Sequence, residues 1–165
     1  MELFVLRHAI AQERDPEKYP DDAKRPLTKR GAKRMRRIAE GMAAFGLKFD
    51  AILSSSYTRA KHTAEIVAEV LDADKKLHFS KALESGNDRQ LIDDINALQH
   101  AERVLLVGHE PHLSQFVSLL LVGDTRLPLR MRKGGLCKLS IRTLTRGQCA
   151  TLEWLLPPSI SIHLE

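Results

Sequence analysis

The sequence has 165 residues, 43% hydrophobic and 28% charged, which fits one domain with a buried core and excludes wholesale disorder and fibrous classes. Lys and Arg outnumber Asp and Glu by 26 to 21, a net charge of +5 that permits an anionic partner. Apolar runs are too short for a membrane span, no apolar signal region follows the N-terminus, and Cys137 and Cys149 lack zinc-site or disulfide-framework spacing. One domain over residues 1–165 in a reducing cytoplasm is therefore expected. The last two or three residues, ending in Leu164-Glu165, read as vector-derived and carry no weight.

Leu3-Phe4-Val5-Leu6 is a continuous apolar run that suits a strand buried on both faces. Residues 11–27 are polar, contain Pro16, Pro20 and Pro26, and read as a loop long enough to be a functional flap. Thr28 is the expected cap of a helix striped by Met35, Ile38, Ala39, Met42 and Phe45 and stopped by Gly46. Ala51-Ile52-Leu53 predicts a second strand, and Ser54 to Ser56 lead into a helix striped by Ala60, Ala64, Val67, Ala68 and Leu71. A brief strand at 77–79 and a helix at 88–98 follow. Val104-Leu105-Leu106-Val107 is the clearest strand, and a helix opening at Pro111 runs to Gly123. An Arg- and Gly-rich loop at 124–135 precedes strands at 136–143 and 149–155, paired as an antiparallel hairpin through Arg146-Gly147. Phe4, Phe45, Phe116 and Trp154 are expected in the core. This alternation predicts a three-layer α/β/α sandwich around a mostly parallel sheet.

In open α/β sheets, ligands bind beyond the carboxyl ends of the strands. The first strand ends in Arg7-His8, the second leads through Ser54-Ser55-Ser56 to Arg59, and the clearest strand ends in Gly108-His109-Glu110-Pro111. One edge thus receives two histidines and two arginines beside helix N-termini. Guanidinium forks and helix N-termini both favour anions, so the edge asks for a dianionic phosphate.

Leu6-Arg7-His8-Ala9 resembles the RHG signature of the histidine phosphatase superfamily, which has the phosphoglycerate mutase-like fold. Ser54-Ser55-Ser56-Tyr57-Thr58-Arg59-Ala60, followed by Thr63-Ala64, is similar to its second arginine motif. Val107-Gly108-His109-Glu110-Pro111 resembles its second histidine motif, and Arg25-Pro26-Leu27-Thr28 with Gly31 resembles the segment between. Four motifs in order are a specific signal. The short chain, without a large inserted cap, is similar to the SixA-type phosphohistidine phosphatase branch.

The resemblance implies that His8 is the nucleophile and passes through a phosphohistidine, while Arg7, Arg59 and His109 hold phosphate oxygens. It implies no metal and no cofactor. Ala9 stands where the motif has glycine, and Ala tolerates that place at negative φ. Glu84 lies near where many family members carry a general acid, although SixA-type members often lack one. Arg25 and Ser55 are candidate substrate contacts, with a solvated charge and a helix start as their plainer roles. His109 and His112 are three apart on one helix, but no third metal ligand accompanies them.

The expected partner is a phosphorylated protein dephosphorylated at phosphohistidine. The alternative is a metal-independent phosphomonoesterase for a small phosphorylated metabolite or nucleotide, favoured by a deep pocket built from 11–27 and 124–135. Nucleic acid is disfavoured, because aromatics are 5% and no RNA-binding or helix-turn-helix signature is present. Residues 24–37 hold eight basic side chains and no acid; these form a solvated helix face or a surface that steers an acidic partner.

Overall fold

The computed structural model describes residues 1–163, so Leu164-Glu165 lie outside the described residues. Six strands form one sheet: β1 (Glu2–Arg7), β2 (Ala51–Ser54), β3 (Leu77–Phe79), β4 (Arg103–Gly108), β5 (Leu136–Ile141) and β6 (Ala150–Leu156), in the order β3-β2-β4-β1-β5-β6. The first four in that order are parallel, and β5 and β6 join antiparallel.

Six helices flank the sheet: α1 (Lys29–Ala44), α2 (Thr58–Val70), α3 (Ala82–Ser85), α4 (Asp88–Asn96), α5 (His112–Val122) and α6 (Pro158–Ser161). Alternation along β1 explains the layering. Phe4 and Leu6 face a cluster made by α1 and α2, with Met35, Ile38, Met42, Ala64 and Val67. Leu3 and Val5 face the opposite cluster, with Leu83, Leu91, Ile95, Leu113, Phe116 and Val117 of α3, α4 and α5. The fold is the three-layer α/β/α sandwich expected of the phosphoglycerate mutase-like class. Among the described residues no helix is long and apolar enough to cross a membrane.

Several local expectations need correction. Phe45 is 50% exposed: α1 ends at Ala44, and the turn into Gly46 swings Phe45 off the inner stripe. The buried aromatic of this corner is Phe49, edge-on to Phe4 at 5.1 Å. Trp154 is only partly buried, 6.0 Å from Phe4. β5 stops at Ile141, two residues short of expectation, and β6 runs from Ala150 to Leu156. α5 begins at His112, with Pro111 in the N-cap place. The long loop at 11–27 is pinned by a bridge between Ala11 and Leu27, by the Gln12 amide donating to the Pro26 carbonyl at 2.9 Å, and by a single 3-10 turn over Asp22–Lys24.

Register sets up the site. Arg7 pairs with Gly108, and Ser54 with Val107. The chain therefore leaves all three strands at one level, and His8, Ser55 and His109 emerge side by side.

Candidate active site

His8 is 5% exposed. Its amide donates to the Gly108 carbonyl at 3.0 Å, which fixes the backbone against β4. The ring Nδ1 lies 2.7 Å from the Ala9 carbonyl. A carbonyl only accepts, so Nδ1 carries the proton and Nε2 keeps its lone pair. Burial pushes the imidazole pKa down to about 3; the Ala9 hydrogen bond works against this, and His109, Arg59 and Arg7 add to it. His8 is thus a neutral imidazole with one nucleophilic nitrogen near neutral pH.

His109 sits on the other side of the cleft, ring centroid 5.2 Å from that of His8. Its Nε2 is 2.8 Å from Ser55 Oγ, and Ser55 Oγ also accepts from the Tyr57 amide at 3.2 Å. The Tyr57 ring packs 5.1 Å from the His109 ring. Burial, then Arg59, lower the His109 pKa to about 3, against the opposing pull of Asp22. An arriving phosphate dianion would oppose these shifts by supplying negative charge.

Arg59, in the first turn of α2, is 6% exposed. Its Nη1 donates to the Asp22 carbonyl at 2.8 Å and its Nη2 pairs with Asp22 Oδ2 at 3.1 Å. Arg25 donates from Nε to Asp22 Oδ1 at 2.9 Å and from Nη1 to the Gln12 carbonyl at 2.7 Å. Asp22 therefore ties both arginines to the long loop. Burial works to raise its carboxyl, but the Arg25 hydrogen bond and the charges of Arg59, Arg25 and Arg14 prevail and hold it below the usual range. Arg7 donates from Nη1 to the Met131 carbonyl at 2.8 Å. Arg7 Nε, Arg59 Nε and His109 Nδ1 are buried without a protein partner. Buried polar groups are normally satisfied; these three orphans belong to residues of this cleft, and His112 Nδ1 and Ser161 Oγ are the others among the described residues.

Ala9 is 4% exposed, and positive φ outside glycine is confined among the described residues to Asp72 and His100. Its methyl is thus carried on ordinary backbone. The Ala9 amide donates to Thr63 Oγ1 at 3.0 Å, and Thr63 Oγ1 donates to the Arg59 carbonyl at 2.6 Å. That hydroxyl stitches the residue after His8 to the turn bearing Arg59.

Glu84 comes to the rim of the cleft on α3, where its Oε1 accepts from the Ser56 amide at 3.1 Å. His112 points elsewhere: its Nε2 bonds Asp88 Oδ1 at 3.0 Å. Among the described residues no group of three or more His, Cys, Asp or Glu is placed to hold a metal ion.

The fold thus gathers His8, Arg7, Arg59, His109, Ser55 and Arg25, with Glu84 at the edge. Sequence reasoning missed Asp22, Thr63, Tyr57 and Lys133. Lys133 is held down in pKa by burial first, then by the charges of Arg7, Arg25 and Arg59. It lines a groove of about 520 Å³ with Gln12, Glu13, Asp15, Lys18, Tyr19 and Thr28. Thr63 lay within a quoted motif and Lys133 within the basic loop, but neither spacing nor composition assigns their contacts.

Fold and site together define an α/β protein that brings two histidines and two arginines to the carboxyl edge of one sheet. The profile of the histidine phosphatase superfamily (branch 1) matches residues 3–84. An uncharacterized protein of Picosynechococcus sp. (strain ATCC 27264 / PCC 7002 / PR-6) is 31% identical over 167 residues, which cover 95% of this chain and 100% of that one. The solved structure of the protein histidine phosphatase SixA complexed with tungstate superposes with a TM-score of 0.83 at 23% identity, over 97% of this chain and 99% of that one. The alpha-ribazole phosphatase of Shigella flexneri superposes with a TM-score of 0.67 at 19% identity, over 96% and 97%. This chain belongs to the histidine phosphatase superfamily. It is a phosphatase.

Proposed function

We propose that this phosphatase removes phosphoryl groups from a phosphohistidine-bearing protein, through a phosphohistidine formed on its own His8. The supporting observation is the buried, neutral His8, whose Nδ1–H is committed to a backbone carbonyl. The free Nε2 attacks phosphorus as the P–N bond to the substrate imidazole breaks. Arg7, Arg59 and His109 hold the equatorial oxygens and stabilise the charge spread over them. The substrate imidazole leaves carrying its own proton. Water then attacks the phosphohistidine, inorganic phosphate departs, and His8 is again neutral.

Such a leaving group needs little from Glu84, which is consistent with a carboxylate engaged at the rim by the Ser56 amide. The second reading is a phosphomonoesterase for a small metabolite, in which Glu84 protonates an alkoxide. The groove beside Lys133, formed by both long loops, favours it, and the alpha-ribazole phosphatase fold neighbour is compatible with it.

Hydrolysis of a phosphohistidine peptide and of a panel of phosphomonoesters by the parent, His8→Ala and Glu84→Gln proteins separates the two. Preference for the P–N substrate, complete loss in His8→Ala and a small effect of Glu84→Gln are expected. Preference for a monoester with a large loss in Glu84→Gln would replace the first reading by the second. Turnover surviving in His8→Ala would end both.

A further inference from the structure

Outside the catalytic edge, α1 carries Arg30, Lys33, Arg34 and Arg37. Their spacing of three, four and seven puts them in one stripe on the helix. With Ser159, Ile162 and His163 they line a groove of about 440 Å³ that, among the described residues, has no acidic lining residue. The neighbouring Arg36 is paired with Glu69 of α2 at 2.6 Å. Among the described residues no such pair forms for the four groove cations; each faces like charges one turn away. Like charges at that spacing disfavour the helix.

The groove begins close to the catalytic cleft. Thr28 caps α1 and donates to the carbonyl of Ile10, two residues after His8. Arg30 follows Thr28 by two residues, and the stripe then runs about 10 Å along the helix axis. The groove shared with Thr28 is mixed in charge, with Lys18 and Lys133 beside Glu13 and Asp15, so an acidic segment finds its unopposed cations on α1. The uniform positive charge is therefore that of the α1 stripe itself, which starts two residues from the Thr28 cap.

We propose that this stripe docks an acidic segment of the protein whose phosphohistidine enters the cleft. This rests on the reading of the substrate as a phosphoprotein. Charge complementarity selects the occupant: carboxylates would give each of the four cations a partner. Nucleic acid fits less well, because no Phe, Tyr or Trp lines the groove to stack bases. The docking residues do not contact the reacting phosphorus, so their contribution is to substrate capture.

Two synthetic phosphohistidine peptides, identical around the modified residue, test this. One carries a tail of Asp and Glu, the other a tail of Gln. The parent should favour the acidic peptide in kcat/KM on the order of tenfold, the low end of electrostatic steering, with the preference shrinking as salt rises. The double variant Lys33→Glu/Arg37→Glu should lose the preference and keep the parent's rate on the Gln-tailed peptide. Lys33→Gln/Arg37→Gln should lose most of it, which guards against an artefact of charge reversal. In parallel, fluorescence anisotropy measures binding of a labelled, unphosphorylated Asp/Glu tail. That reading does not depend on turnover, so a phosphatase inactive on P–N bonds would sink the substrate reading alone. Equal affinity of the tail for parent and variants, or equal rates on both peptides, would overturn the docking surface. Tighter binding of a single-stranded oligonucleotide of equal charge than of the acidic tail would overturn it in favour of a nucleic acid.

Discussion

Arg59 serves two partners with one guanidinium. Its two terminal nitrogens are spent on the backbone and carboxylate of Asp22, and its Nε faces burial with no protein acceptor. Its charge also lowers the pKa of both histidines. Lysine reproduces the charge but not the planar fork, so it can keep Asp22 or meet an oxygen, not both. Arg59→Lys is expected to fall in kcat by roughly a hundredfold or more, the scale of one preorganised donor, with the fold intact by circular dichroism. Steady-state kinetics within threefold of the parent would show that positive charge alone suffices at this position. Ala9 shows the opposite economy: its backbone is ordinary and its amide is engaged by Thr63, so the missing motif glycine leaves the turn after His8 with a defined partner.

At the level of elements, the strand ends were legible and the loops were not. His8, Arg59 and His109 follow apolar runs that can only be strands or their adjoining helix, and parallel strands deliver their ends to one edge. Asp22 meets Arg59 across 37 residues of sequence, and Lys133 comes to Arg7 from the far end of the chain; no local pattern encodes either closure. Phe45 and Phe49 illustrate the same limit: helical spacing points to Phe45, but the helix ends one residue earlier and the buried ring is Phe49. Gly31 carries a testable consequence of element packing. A Cβ there would lie 2.0 Å from the carbonyl oxygen of Ile10, so α1 approaches the segment after His8 as closely as glycine allows. Helix propensity alone would make Gly31→Ala stabilising by about 1 kcal/mol. The clash with backbone should reverse the sign and cost about 1–3 kcal/mol, read as a lower urea midpoint together with weaker catalysis. A stabilised Gly31→Ala protein would mean that α1 can move away from the site at no cost.

For the whole molecule, the site stores a pH dependence that ordinary surface titration does not. An unfolded chain titrates its histidines near 6.5, whereas burial holds His8 and His109 at about 3 in the fold. Between those values the unfolded state binds protons that the folded state refuses, so acid favours unfolding. The stability is therefore complete above 6.5 and drains as pH falls, at up to ~1.4 kcal/mol per pH unit for each histidine. The depressed carboxyls of Glu2 and Asp22 belong to a lower window, since their stabilising effect is lost only as pH falls below their ordinary values of 4.5 and 3.8. Urea midpoints between pH 7 and 5 thus report mainly on histidines. The parent should lose stability steadily across that range, and His8→Asn and His109→Asn should each flatten the slope, because each removes one group that must charge on unfolding. A parent midpoint that stays level from pH 7 to 5, or slopes unchanged in both variants, would show that the two imidazoles accept protons in the folded protein. His8 would then be a neutral nucleophile only above about 6.5, and activity should fall as pH drops through that value.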